Sequence, residues 1–145
     1  MWPNDPRSAF VEYALKMVGT PYIYGGDDFF GIDCSGLAVE ALRSLGIIGR
    51  DHTAAALQHL MKQRGAILDA QECKPGYLAF YYRDGIVGHV VICINDFQVV
   101  EAAGGGRETT TAEKADKAAA FVKIRPFTGL GLHSMADPIR LFERR

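Results

Sequence analysis

Between residues 6 and 18 the apolar positions Phe10, Val11, Ala14, Leu15 and Val18 recur every three or four residues, the period of a helix with one buried face. Asp5 and Pro6 mark its start, since a carboxylate accepts from free helix amides and proline fits the first helical position. Gly19 and Pro21 mark its end. A loop rich in glycine and aromatics covers 20–32. The helical period then resumes at Cys34, with Leu37, Ala38, Ala41, Leu42 and Leu45 on one face, Asp33 at the capping position and Gly46 closing the run. A third helix is expected over Thr53–Gln63, with Ala56, Leu57, Leu60 and Met61 inward.

After residue 74 the pattern becomes that of strands. Pro75-Gly76 turns the chain into Tyr77–Tyr82, Asp84-Gly85 is a hairpin signal before Gly88–Ile94, and Asn95-Asp96 turns into Phe97–Ala103. "AEKADKAAA" reads as a short exposed helix or a loop, and "AFVKIRPF" and "PIRLFERR" as two late strands. Helices first and antiparallel strands after predict an α+β domain, with N-terminal helices packed on a five- to six-stranded, mostly antiparallel sheet. No linker-like stretch divides the chain, so residues 1–145 read as one domain.

Composition narrows the functional classes. The 48% hydrophobic and 23% charged content is that of a globular protein with room for a core, and the net charge of −1 offers no basic excess for nucleic acid. No apolar run reaches the length a spanning helix needs, and "MWPNDPRSAF" lacks the basic and apolar regions of a secretion signal. The chain therefore reads as made in the cytoplasm and not inserted in a membrane. The four histidines show no metal-ligand spacing, and no two of the three cysteines lie close enough for a zinc site, so neither metal nor cofactor is expected.

The candidate chemistry begins at Cys34. At a helix start the free N–H groups and the dipole favour a thiolate, and the same amides could hold the oxyanion of an acyl-transfer intermediate. A buried structural cysteine would need none of this, and position alone leaves both readings open. A thiolate needs a base. His89, preceded by Gly88, opens the apolar strand "HVVICI", whereas His52, His59 and His133 fall in contexts that suit solvent or helix-edge positions. In a hairpin of 89–94 with 97–102, Glu101 comes beside His89 and can orient its imidazole. Cys93 alternates with Val91 and reads as core; Cys73 precedes a turn and reads as exposed. Of the loop aromatics, Phe29 and Phe30 are expected to pack rather than to line a groove, and Gly104–Gly106 reads either as a mobile lip or as a bare turn.

These segments, "GTPYIYGG", "GIDCSGL", "PGYLAF", "GHVVICI" and "VEAAG", together resemble the NlpC family of bacterial cysteine peptidases over about Val11–Ala103. The resemblance implies a papain-like fold and hydrolysis of peptide bonds in peptidoglycan stem peptides, next to D-glutamate and a diamino acid. It implies Cys34 as nucleophile, His89 as base and Glu101 as the residue that orients it. Tyr22 matches a tyrosine kept near the nucleophile, and Asp33 and Ser35 match positions that help to receive the stem peptide. Glu101 stands where the family more commonly has histidine, asparagine or glutamine, and Tyr77 stands where it commonly has an acid. The resemblance is to the catalytic domain alone, with no wall-binding repeat expected beside it, which suits a phage-associated or exported enzyme acting at the cell wall. Two rivals remain open from sequence: an amidase or acyltransferase on the same scaffold, and a non-catalytic phage structural or binding module. Oligomeric state is left open.

Overall fold

The computed structural model describes residues 5–28, 30–48 and 52–143. Helix α1 (Pro6–Lys16) is followed by a two-residue pair of strands, β1 (Asp27–Asp28) and β2 (Gly31–Ile32), then α2 (Cys34–Ser44) and α3 (Ala54–Gln63). Three antiparallel strands come next, β3 (Leu78–Arg83), β4 (Ile86–Cys93) and β5 (Gln98–Ala103). Helix α4 (Ala112–Ala118), strands β6 (Phe121–Pro126) and β7 (Leu132–Ala136), and α5 (Ile139–Glu143) complete the chain. The main sheet has five strands in the order β6-β5-β4-β3-β7, all neighbours antiparallel. This is the α+β, papain-like arrangement expected from the pattern change.

Both helix-start signals hold: the Asp5 carboxylate accepts from Ser8 N at 2.8 Å, and that of Asp33 from Gly36 N at 2.8 Å. Alternation along the strands divides two cores. Leu78, Phe80, Val90, Ile92 and Val100 face the helices, where they meet Leu37, Leu42, Leu57 and Met61. Ala79, Val91, Cys93, Val99 and Met135 form a smaller cluster apart from these. Each large side chain buried in this way contributes about 1.5–3 kcal/mol, which is why α2, the middle helix of the main core, is the rigid element on which a site can be built.

Three local expectations are corrected. The inward face of α1 is Phe10, Ala14 and Met17, while Leu15 and Val18 are exposed. Ala56 faces out of α3, where Ala54, Leu57 and Met61 are buried. The last strand is formed by "LHSMA", and "PIRLFERR" begins α5 instead of a strand. The Asp137 carboxylate accepts from Ile139 N at 3.2 Å, so Asp137-Pro138 is a helix start of the kind seen at Asp5-Pro6. The alternating burial of Ile139 and Leu141 imitates a strand in sequence. Asp137 also takes a bidentate pair from Arg7, whose guanidinium lies 5.8 Å over the Tyr77 ring. Tyr77 therefore has a packing partner on α1. Among the described residues, no helix is long and apolar enough to cross a membrane.

Candidate active site

Cys34 is the first residue of α2 and is buried. Asp33 uses both carboxylate oxygens to fix this junction: one accepts from Gly36 N and, at 3.3 Å, from the Ser35 hydroxyl, and the other from Gly25 N at 2.9 Å. The glycine-rich loop is thereby tied to the helix that carries the thiol. The Cys34 and Ser35 amides take no acceptor among the described residues. They are the free N–H groups that a helix start leaves over, directed at whatever lies beside the sulfur.

His89 comes from β4. The ladder pairs Tyr81 with His89 and then Tyr82 with Val87, so Gly88 is the extra residue of a β-bulge. A Cβ at Gly88 would lie 2.7 Å from the Cβ of Arg83, so glycine is needed for that strand crossing. Arg83 occupies the space that a side chain at Gly88 would need. Pairing of Ile92 with Val100 sets Glu101 diagonally across from His89, and Nε2 of the imidazole lies 3.0 Å from Glu101 Oε2. The other ring nitrogen, Nδ1, is buried and has no hydrogen bond of good geometry. It is the nitrogen left for the thiol, which interacts with the ring closely enough to alter its protonation.

The electrostatics follow from these contacts. Burial pulls the His89 pKa down, but hydrogen bonding and charge from Cys34 and Glu101 outweigh it and raise the value to about 9. Burial would raise Glu101; its hydrogen bond and charge interaction with His89, with Arg125 and Lys123 behind, hold the carboxyl below its usual range. Arg125 Nε is 3.6 Å from Glu101 Oε1, so the acid is held from both sides. A protonated imidazole beside a thiol at a helix start can form an ion pair, attack an acyl carbon and return its proton to a leaving amine.

Tyr22 is buried beside this centre. Burial first, then the neighbouring Cys34 and Asp33, push its phenol up to about 12, while the charge of Arg83 pulls the other way. Its ring is held by Gly105, where any Cβ would run into it. Gly105 is thus a packing partner of Tyr22. Asp33 and Ser35 line a cavity of about 310 Å³ with Tyr24, Asp27 and His52. His89 and Glu101 line a second, of about 480 Å³, with Tyr81, Tyr82, Arg83 and Arg125. The structure therefore gathers Cys34, His89, Glu101 and Tyr22, and places Asp33 and Ser35 at the cavity next to them.

Some expectations change. Cys73 is buried, not exposed, and donates to Asn95 O at 3.1 Å. Phe30 is 86% exposed and does not pack; Phe29 lies outside the described residues. His133 lies on β7, 2.8 Å from the Ser134 hydroxyl and edge-on to Tyr82. Arg83 and Arg125 escaped the sequence reading, and Gly105, read there as part of a lip or a bare turn, packs against Tyr22. Only Arg125 had a usable signal there, its alternation with Lys123 on the strand next to Glu101. Among the described residues, no three His, Cys, Asp or Glu side chains gather as metal ligands do.

The model of the NlpC/P60 family matches residues 19–125. A probable endopeptidase of Mycobacterium bovis is 35% identical over 100 residues, which is 69% of this chain and 24% of that protein. A gamma-D-glutamyl-L-lysine dipeptidyl-peptidase of Bacillus cereus is 33% identical over 104 residues, 69% of this chain and 29% of that protein. The chain spans about a quarter of the length of these curated relatives. Among solved structures, the NlpC/p60 domain of the peptidoglycan hydrolase SagA superposes with a TM-score of 0.62 at 26% identity, over 90% of this chain and 97% of that one. NlpC1 from Trichomonas vaginalis shares the fold with a TM-score of 0.70 at 23% identity, over 92% of this chain and 44% of that one.

Proposed function

Because the chain belongs to the NlpC/P60 family, we propose that it is a cysteine endopeptidase that hydrolyses peptidoglycan stem peptides at the bacterial cell wall, between D-glutamate and a diamino acid. The observation that carries this reading is the Cys34 thiol at the start of α2, facing a histidine whose far nitrogen lies 3.0 Å from Glu101. Cys34 attacks the peptide carbonyl. The Cys34 and Ser35 amides receive the oxyanion, with Tyr22 beside them. His89 gives its proton to the leaving amine, then takes one from the water that hydrolyses the thioester. Glu101 keeps the imidazole charged and oriented, and Arg125 steadies Glu101. Asp33 and Ser35 shape the cavity that receives the acyl half of the substrate.

The dipeptidyl-peptidase named for a gamma-D-glutamyl-L-lysine bond supports the choice of bond, and the peptidoglycan hydrolase domain supports the choice of polymer. The test is digestion of purified peptidoglycan with identification of the new termini by mass spectrometry. A new N-terminus on the diamino acid is expected. Release of intact stem peptides from sugar would instead make the protein an amidase, and no release with wild-type protein would leave a binding module.

A further inference from the structure

The leaving amine must lie within reach of the His89 proton, so the leaving half of the substrate lies on the imidazole side of Cys34. That side opens into the groove of about 480 Å³ lined by His89, Glu101, Tyr82, Arg83 and Arg125. Among the described residues, the cavity on the helix side of the thiol carries Asp27 and Asp33 and no lysine or arginine. The site is therefore acidic at one end and bears two guanidinium groups at the other. Of the two arginines, Arg125 is engaged with Glu101. The Arg83 side chain has no hydrogen bond or ion pair with any described residue, yet its charge reaches the Tyr22 phenol beside Cys34. Gly88, the extra residue of the bulge, makes room for it: a Cβ there would lie 2.7 Å from the Arg83 Cβ, next to His89.

Resting on the function proposed above, we infer that Arg83 is a specificity residue that binds a free carboxylate on the leaving residue of the substrate. A guanidinium presents paired donors that match a carboxylate, and one without an internal partner keeps them available. Glu101, which contacts His89 and Arg125, makes no hydrogen bond or ion pair with Arg83. The carboxylate can be the terminal one of a tripeptide or the side-chain one of a diamino dicarboxylic acid, and the two are separable by synthesis.

The experiment uses three peptides of the form L-Ala-γ-D-Glu-X. In the first X is L-lysine amide, in the second L-lysine with a free terminus, and in the third diaminopimelate with its α-carboxyl amidated. Cleavage rates are measured with wild-type protein and with Arg83→Gln, and dissociation constants with the Cys34→Ala and Cys34→Ala/Arg83→Gln proteins. Wild type should favour at least one carboxylate-bearing peptide over the lysine amide by tenfold or more in kcat/KM. Arg83→Gln should erase that preference while cleaving the lysine amide within threefold of wild type, and Arg83→Lys should restore part of it. The carboxylate that matters is the one whose peptide loses its advantage. A preference that survives Arg83→Gln, an equal loss on all three peptides, or no preference in wild type overturns the inference. Binding that depends on Arg83 without any cleavage would sink the peptidase reading and leave the carboxylate site standing; cleavage indifferent to Arg83 would do the reverse. Binding of none of the peptides overturns both.

Discussion

Cys34 and the pair Cys73 and Cys93 are all buried thiols of one small protein, and they are built for opposite ends. Cys34 lies at a helix start beside an imidazole held charged by a glutamate. Cys73 and Cys93 lie together in the smaller core, and Cys73 donates to the carbonyl oxygens of Asn95 and Gln98. Burial pushes Cys73 up, and burial and the neighbouring Cys73 push Cys93 up further, so both stay protonated. Burial is common to all three, so it is not what sets Cys34 apart from the other two. The neighbours do that: free amides and a cation at one place, carbonyl oxygens and a second thiol at the other.

The comparison breaks most sharply under mutation. Cys34→Ala should lower peptidase kcat/KM by about a thousandfold or more with the far-ultraviolet circular dichroism unchanged, whereas Cys73→Ala and Cys93→Ala should each stay within threefold of wild type. Glu101→Gln comes next, with a loss of about 10- to 100-fold and a signature in pH. In wild type the alkaline limb of kcat/KM should fall near pH 9, where His89 loses its proton. Without the glutamate charge the histidine gives up its proton more easily, so the limb should move to lower pH. A limb that stays in place would mean that Glu101 does not hold the imidazolium.

Smaller effects sharpen the picture. Gly105→Ala should displace the buried Tyr22 ring, reducing kcat/KM by about tenfold through misplacement and stability by about 1–3 kcal/mol through overpacking. The raised pKa of His89 also has a stability consequence. Its contribution is complete below the unfolded value near 6.5 and is lost as pH rises through about 9. The difference in melting temperature between wild type and His89→Gln should therefore shrink over that interval. Smallest on activity, Cys93→Ala should reduce stability by about 1 kcal/mol through the cavity it leaves, read by urea unfolding.

Much of this was legible in the sequence because local signals and tertiary packing agree there. Asp33 before a periodic apolar run both predicts and caps α2, and the hairpin spacing brings Glu101 to His89. The failures occur where long-range contacts decide. Ile139 and Leu141 alternate as in a strand, yet Asp137, engaged by Arg7 from the far end of the chain, starts a helix. Cys73 precedes a turn and reads as exposed, yet the β4-β5 connection folds over it and supplies Asn95 O. Arg83 looks like an ordinary residue beside a hairpin turn. Only the bulge at Gly88 shows that it lies against the site, and a bulge is a property of two strands that neither announces alone.

The most direct measurement is site-resolved alkylation followed together with activity. Protein is exposed to limiting iodoacetamide at neutral pH, and each aliquot is assayed for cleavage of L-Ala-γ-D-Glu-L-Lys and digested for mass spectrometry. Residual activity should fall in proportion to unmodified Cys34, with Cys73 and Cys93 still unlabelled when activity is gone. Full activity in protein whose Cys34 is completely alkylated would contradict the assignment of Cys34 as the nucleophile.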